Sequence, residues 1–359
     1  MSLYSSILRP WLFRLPADQA HDLARAALAW PAPWRLVARG LPSPDPRLAT
    51  DFCGLRLRSP IGLAAGFDKD ADCVRGLGAL GFAYLTLGSI MSEPRPGNPR
   101  PRLGRVVRQE GITNALGLPS KGRSYAEARL RRLGARPVPL IANVCGFSPE
   151  ELAAATRDLQ PYVDAVEIGL ICPQTGDQGG LGTLATFERL VAALAAVRRV
   201  PVLVKLPPHR NPADADLVRA MVRLCLDGGL DGLTVGGGRP VQDRRLAVGR
   251  GSLSGRPIRA DILRITRDVA AWSEGRLPIK AGGGALRGDD VLALLQAGAT
   301  AVEVYAAFVY RGPWVAVALE RELGTALGRA VLASVRELRP ADRTDEPVSV
   351  GTRAQPPPA

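Results

Sequence analysis

The chain has 359 residues, 46% hydrophobic and 23% charged, which is globular composition with ample core and excludes disorder of the whole chain or a collagen-like repeat. The net charge of +13 is almost all arginine, since lysine occurs only at 69, 121, 205 and 280; the arginines are dispersed without an aromatic-basic motif, which argues against nucleic acid as a partner. Five cysteines without a C-x-x-C pair and only two histidines, His21 and His209, speak against a disulfide framework or a metal centre and fit a reducing cytosol.

Residues 1–45 read as an N-terminal helical extension. The stretch from Leu3 to Leu15 sets Leu8, Trp11, Leu12 and Phe13 beside Arg9 and Arg14, and Pro16 opens a second helix running through Trp30. A short, aromatic and basic helix pair fits the interfacial layer of a membrane; a capping pair packed on the following domain fits equally well. No run of about eighteen uncharged apolar residues occurs, so no membrane-crossing helix is expected.

Residues 46–335 alternate short apolar runs with longer segments of helical period. The predicted strands are Ile61–Gly66, Tyr84–Ser89, Leu140–Cys145, Ala165–Ile171, Val202–Leu206, Gly232–Val235, Pro278–Ala281 and Ala301–Ala306. Helical patterns include Phe187–Val197, Asp214–Leu226, Ile258–Trp272 and Asp289–Leu295. Near-continuous apolar strands imply cover on both faces, and eight strand–helix repeats predict a (β/α)8 TIM barrel. The alternative, a doubly wound sheet, lacks a G-x-G-x-x-G turn after any strand. The polar, Pro/Gly-rich segment Ser92–Thr113 is too long for an ordinary loop and reads as a hairpin over the barrel's top face. Residues 336–359 are Pro-rich without an apolar face and read as a disordered tail.

Barrel active sites sit where strands end, with phosphate commonly held after strands 7 and 8. Glycines there let backbone N–H groups approach an anion closely, and this chain offers Gly282-Gly283-Gly284, with Tyr305-Ala306 closing strand 8. Glycines that merely turn strands into loops are the plainer reading of each cluster alone. Lysines sharpen the case, because one inside a buried strand needs an anion. Lys69, Lys205 and Lys280 follow or occupy strands and could face one barrel mouth, although a buried pair of Lys280 with Glu303 on the neighbouring strand is the simpler account of those two. Cys172 sits on a loop before Pro173 and Gln174, a poor place for an inert apolar filler.

The motifs GLAAGFDKD (62–70), LGSIMSEPRPGNPRPRL (87–103), GSLSGRP (251–257) and GATAVEVYAAFVYRGP (298–313), together with the N-terminal stretch, resemble dihydroorotate dehydrogenases, specifically the class 2, quinone-using branch. The resemblance implies an FMN-binding barrel that oxidises dihydroorotate to orotate, a step of pyrimidine biosynthesis. It assigns Ala65, Gly66, Ser89, Asn114, Asn143 and Lys205 to the flavin ring, and Gly251, Gly282, Gly283, Tyr305 and Ala306 to the ribityl phosphate. Lys69, Asn114, Gln174 and Thr175 would bind substrate, with Cys172 as the base at C5. His21, Arg105 and Tyr305 would line a quinone tunnel. The implied location is cytoplasmic, peripheral on the inner face of the cell membrane, with no metal.

Departures accompany the likeness. The base is serine in most of the quinone-using branch, and three pyrimidine-binding asparagines are replaced by Gly169, Gln174 and Gly237. At roughly 0.5–1.5 kcal/mol net per hydrogen bond, orotate held in the family manner should bind more weakly. Two other readings therefore stand beside the first: an FMN enzyme of this scaffold acting on another small substrate, and a non-catalytic flavin-binding or flavin-free membrane-surface protein.

Overall fold

The computed structural model describes residues 4–170 and 183–338. Eight parallel strands close into a barrel in the cyclic order β3 (Ile61–Leu63), β4 (Leu85–Ile90), β7 (Leu140–Cys145), β8 (Ala165–Gly169), β9 (Val202–Lys205), β10 (Gly232–Gly236), β13 (Ile279–Gly282) and β14 (Ala301–Val304). All eight coincide with predicted strands, β7 over the same residues and the others displaced by one to three residues at the ends. Five helices of the outer layer carry their apolar stripe inward: α6 (Pro149–Leu159), α7 (Leu184–Val197), α8 (Pro212–Asp227), α9 (Arg259–Trp272) and α12 (Val315–Arg329). Side-chain caps start three of them, Ser148 on α6, Thr183 on α7 and Asn211 on α8, each accepting a first-turn N–H.

The barrel interior is stratified. A small hairpin, β1 (Thr50–Phe52) with β2 (Leu55–Leu57), closes the N-terminal end. Phe52, Leu57, Tyr84, Ile141 and Leu203 form an apolar floor there. Gly62 makes room for the Tyr84 ring, which any Cβ at 62 would strike. Above this floor the filling turns polar, with Thr86, Asn143, Glu167, Thr234, Lys280 and Glu303 all buried. The glycine-rich strand ends form the mouth.

The insertion after β4 is the expected hairpin, β5 (Leu103–Val106) with β6 (Gly111–Asn114). It belongs to a larger structure that the sequence pattern does not reveal. A second hairpin, β11 (Arg239–Gln242) with β12 (Arg250–Gly255), joins it through β6 into a four-stranded antiparallel sheet. Asp243 locks the two hairpins, accepting from Thr113 Oγ1 at 2.6 Å and from both sides of the Arg245 fork at 2.8 Å.

Three helices precede the barrel, where the sequence pattern predicts two: α1 (Arg9–Arg14), α2 (Ala17–Ala29) and α3 (Pro31–Arg39). They pack on the barrel domain. Asp18 of α2 accepts the backbone N–H groups of Arg102 and Leu103 at 3.0 and 3.2 Å, and Arg25 pairs with Asp72 at 3.1 Å. Gly76 of α4 (Val74–Gly78) lets that helix touch the Leu28 backbone, a space a Cβ would occupy. The same helices leave Trp11, Trp30 and Leu36 exposed at 54%, 68% and 69%. Packing and an apolar outer face thus coexist. The tail beyond residue 338 lies outside the described residues.

Candidate active site

The C-terminal ends of the strands converge on one cavity of about 230 Å³. Of the residues predicted to hold a flavin, Ala65, Gly66, Asn114, Lys205, Gly282, Gly283, Tyr305 and Ala306 line it. Ser89 is half-buried on β4, outside the lining. Asn143 sits beneath, its amide donating to Glu167 Oε1 at 2.8 Å. Gly251 backs Asn114, whose carbonyl oxygen a Cβ there would approach to 2.6 Å. Cys172, Gln174 and Thr175 lie outside the described residues.

Two of the three strand lysines do not open into this cavity. Lys69 is buried, and its Nζ donates to the Gly66 carbonyl at 2.6 Å. Burial and the charges of Arg25 and Arg102 lower its pKa to about 8. Lys280 is enclosed inside the barrel, so the expectation that it could share the mouth is corrected. Its Nζ lies 2.7 Å from Glu167 Oε2 and 2.8 Å from Glu303 Oε2, and it donates to Thr86 Oγ1 at 2.9 Å. The predicted pairing with Glu303 is there, with Glu167 as an unforeseen third member. Only Lys205 reaches the mouth, where Glu303 Oε1 stands 3.9 Å from its Nζ.

Whether the cavity suits FMN can be judged from its floor. At Gly283 and Gly284, φ is +132° and +77°, and a Cβ on Gly284 would stand 2.5 Å from the Arg259 Cα. Only glycine carries the backbone this close to α9 while leaving the space above it free. With Ala306 adjoining and no carboxylate in the lining except Glu303, this end has the makings of a phosphate cradle. Lys205 at the other end offers a cation to an electron-rich ring. The residues fit the group.

A second, apolar cavity of about 290 Å³ opens between the N-terminal helices and the barrel. His21, Arg105 and Tyr305 all line it, among Leu12, Phe13 and Phe67. Arg105 donates to the Leu15 carbonyl at 2.8 Å and the Leu12 carbonyl at 3.3 Å, capping α1, and stacks over Phe13 at 4.6 Å. His21 meets Phe67 edge-on at 5.1 Å. Burial, reinforced by Lys69, Arg25 and Arg102, holds its pKa well below the ordinary value, so the imidazole is neutral. Leu103, Ile112 and Tyr305 line both cavities and form the wall between them.

A family model described as dihydroorotate dehydrogenase matches residues 47–327. The chain belongs to the dihydroorotate dehydrogenase family. A relative from Deinococcus deserti, named dihydroorotate dehydrogenase (quinone), is 34% identical over 95% of this chain and 100% of its own length. One of the same name from Clavibacter sepedonicus is 36% identical over 87% of this chain and 95% of its own. Among solved structures, an Eimeria tenella dihydroorotate dehydrogenase in complex with ferulenol superimposes with a TM-score of 0.77 at 28% identity, covering 89% of this chain and 94% of that one. Of the two glycines that stand where the resemblance expects asparagine, Gly169 is built into the packing, since a Cβ there would collide with Cys145 Sγ. Gly237 has room for a Cβ, 3.4 Å from Pro208, and it is its φ of +124° that favours glycine. Among the described residues no group of three or more His, Cys, Asp or Glu could hold a metal.

Proposed function

We propose that this chain is an FMN-dependent, quinone-linked dihydroorotate dehydrogenase. The observation that carries the reading is the pair of cavities divided by Tyr305, Leu103 and Ile112. One, at the barrel mouth, sets Lys205, Asn114 and Glu303 among glycines and would admit a phosphate, whereas the other is apolar and faces the helical extension. A two-step oxidoreductase with one water-soluble and one lipid-soluble substrate needs this division. The names of the relatives favour oxidation of dihydroorotate over the other readings.

When bound, FMN would accept a hydride from the substrate and pass the electrons on to the quinone. Ala65, Gly66, Asn114 and Lys205 would hold its ring, and Gly282, Gly283 and Ala306 its phosphate. Lys205 would keep a fixed ammonium where negative charge accumulates, an electrostatic stabilisation that needs no reorganisation. Cys172 would take the substrate proton; a thiol of ordinary pKa ~8.5 needs neighbouring positive charge for that role. Lys69, whose Nζ is held behind the cavity wall by the Gly66 carbonyl, would act on the substrate carboxylate from behind Gly66. Since its pKa is about 8, it is protonated at neutral pH and loses its charge above that value. The KM for dihydroorotate is therefore expected to rise about tenfold for each pH unit above 8, and a flat steady-state profile between pH 8 and 9.5 would contradict the assignment.

No helix among the described residues is long and apolar enough to cross a membrane. Attachment would be peripheral, on the inner face of the cell membrane, through the exposed Trp11, Trp30 and Leu36. The test separates the two half-reactions. Dihydroorotate alone should bleach the purified yellow protein, and a soluble quinone should restore the colour. Ala20→Trp, which fills the apolar cavity, is expected to slow recolouring at least tenfold and leave bleaching unchanged.

A further inference from the structure

The polar layer inside the barrel has a definite charge pattern. Lys280, Glu167 and Glu303 are each no more than 2% exposed, and as ions they sum to −1. Lys205, with Glu303 Oε1 3.9 Å away, brings the group to zero. Each carboxylate has two ends with different tasks. Glu303 gives Oε2 to Lys280 and turns Oε1 toward Lys205. Glu167 gives Oε2 to Lys280 and to Thr234 Oγ1 at 2.5 Å, and Oε1 to the Asn143 amide. The cluster therefore spans from the apolar floor to the mouth.

Stability alone does not call for such a cluster. Apolar side chains of similar volume commonly replace a buried ion network without loss, and the barrel layer directly below this one is apolar. The fit is also specific. A Cβ on Gly282 would come within 2.7 Å of Glu303 Cγ and Oε1, so the residue under the carboxylate has to be glycine for Glu303 to reach Lys205.

We propose that Glu303, anchored by Lys280, is a positioning residue that holds the Lys205 ammonium at the mouth and offsets part of its charge, thereby lowering the two-electron potential of bound FMN. This rests on the FMN reading above. Uncompensated, Lys205 would favour the reduced, more negative flavin more strongly. Glu303 moderates that preference, which keeps the electrons available for release to the second acceptor.

The experiment is a reductive titration of the purified holoenzyme against a reference dye. Glu303→Gln keeps the shape, retains a carbonyl toward Lys280 and leaves Lys280 with Glu167 as a neutral buried pair, so the variant should fold. The affinity ratio for reduced over oxidised FMN is expected to rise at least tenfold, which for a two-electron couple is 29.6 mV. In a Lys205→Met background the same substitution is expected to move the ratio clearly less than it does with Lys205 in place, because only the direct effect of the carboxylate charge remains. Glu303→Asp, which keeps the charge but withdraws it, is expected to fall between. An unchanged potential in Glu303→Gln, or an equal shift with and without Lys205, would overturn the proposal. A wild-type protein that carries no flavin would instead overturn the FMN reading itself.

Discussion

Lys205→Met is expected to give a folded, flavin-loaded protein that dihydroorotate bleaches about 10²–10³-fold more slowly than wild type, the usual cost of losing one preorganised charge at a reacting centre. Lys205 ends β9 with its charged tip in the cavity and its stem among the strand ends. Methionine keeps most of that stem, so the loss would report the charge. Lys205→Arg is expected to rescue poorly, because a planar guanidinium cannot take the place of a compact ammonium above Glu303. Stopped-flow absorbance of the first half-reaction measures both. A rate within threefold of wild type for Lys205→Met would remove the residue from the chemistry.

The largest effect on stability is expected from Lys280→Met. It strands two carboxylates in the barrel, and breaking a buried ion network by removing one partner costs about 3–5 kcal/mol. Urea denaturation at pH 7 measures this. Replacing Lys280, Glu167 and Glu303 together with Met, Leu and Leu is expected to restore most of the loss, since no uncompensated charge remains. The pH dependence separates this account from simple loss of packing. In the wild type, burial raises the Glu167 pKa, but Lys280 and Lys205 outweigh it and hold it at about 2. This contribution is present above the ordinary carboxylate range and is lost as the pH falls from about 4.5 toward 2. Without Lys280, burial dominates and the Glu167 pKa rises. Lys280→Met should then become more stable relative to wild type between pH 7 and 5, as protonation relieves the buried charge. A stability gap that stays constant over that range would mean the lysine serves only as filler.

The barrel was legible because its strands are covered on both faces. Leu140–Cys145 stands out as a closed apolar run and is a strand over those same residues, all buried. Heights inside the barrel were not legible. Lys205, Thr234 and Lys280 are register partners across three neighbouring strands, yet strand tilt carries successive partners to different levels along the axis. One lysine therefore emerges at the mouth and another is sealed below it. Glu167 was visible as an odd charge in an apolar strand, but its meeting with Lys280 depends on closure of the ring. The β11–β12 hairpin escaped for a similar reason. Its partner β6 lies 138 residues away at the Asn114–Ser252 contact, and within GRGSLSG glycine and serine give no alternation of apolar and polar residues. The residues that line the mouth are legible in the motifs, whereas Glu303 is legible only as a partner for Lys280, because its place in the lining depends on closure of the barrel.

Leu103, Ile112 and Tyr305 each present a face to two compartments. On the two-cavity reading, electrons would cross this shared layer while the molecules that donate and accept them stay on their own sides. The donor and the acceptor of those electrons can thus occupy the protein at different moments, each exchanging with its own surroundings. Turnover in a molecule built this way would alternate between two visitors that never meet, and saturating one side would not crowd out the other.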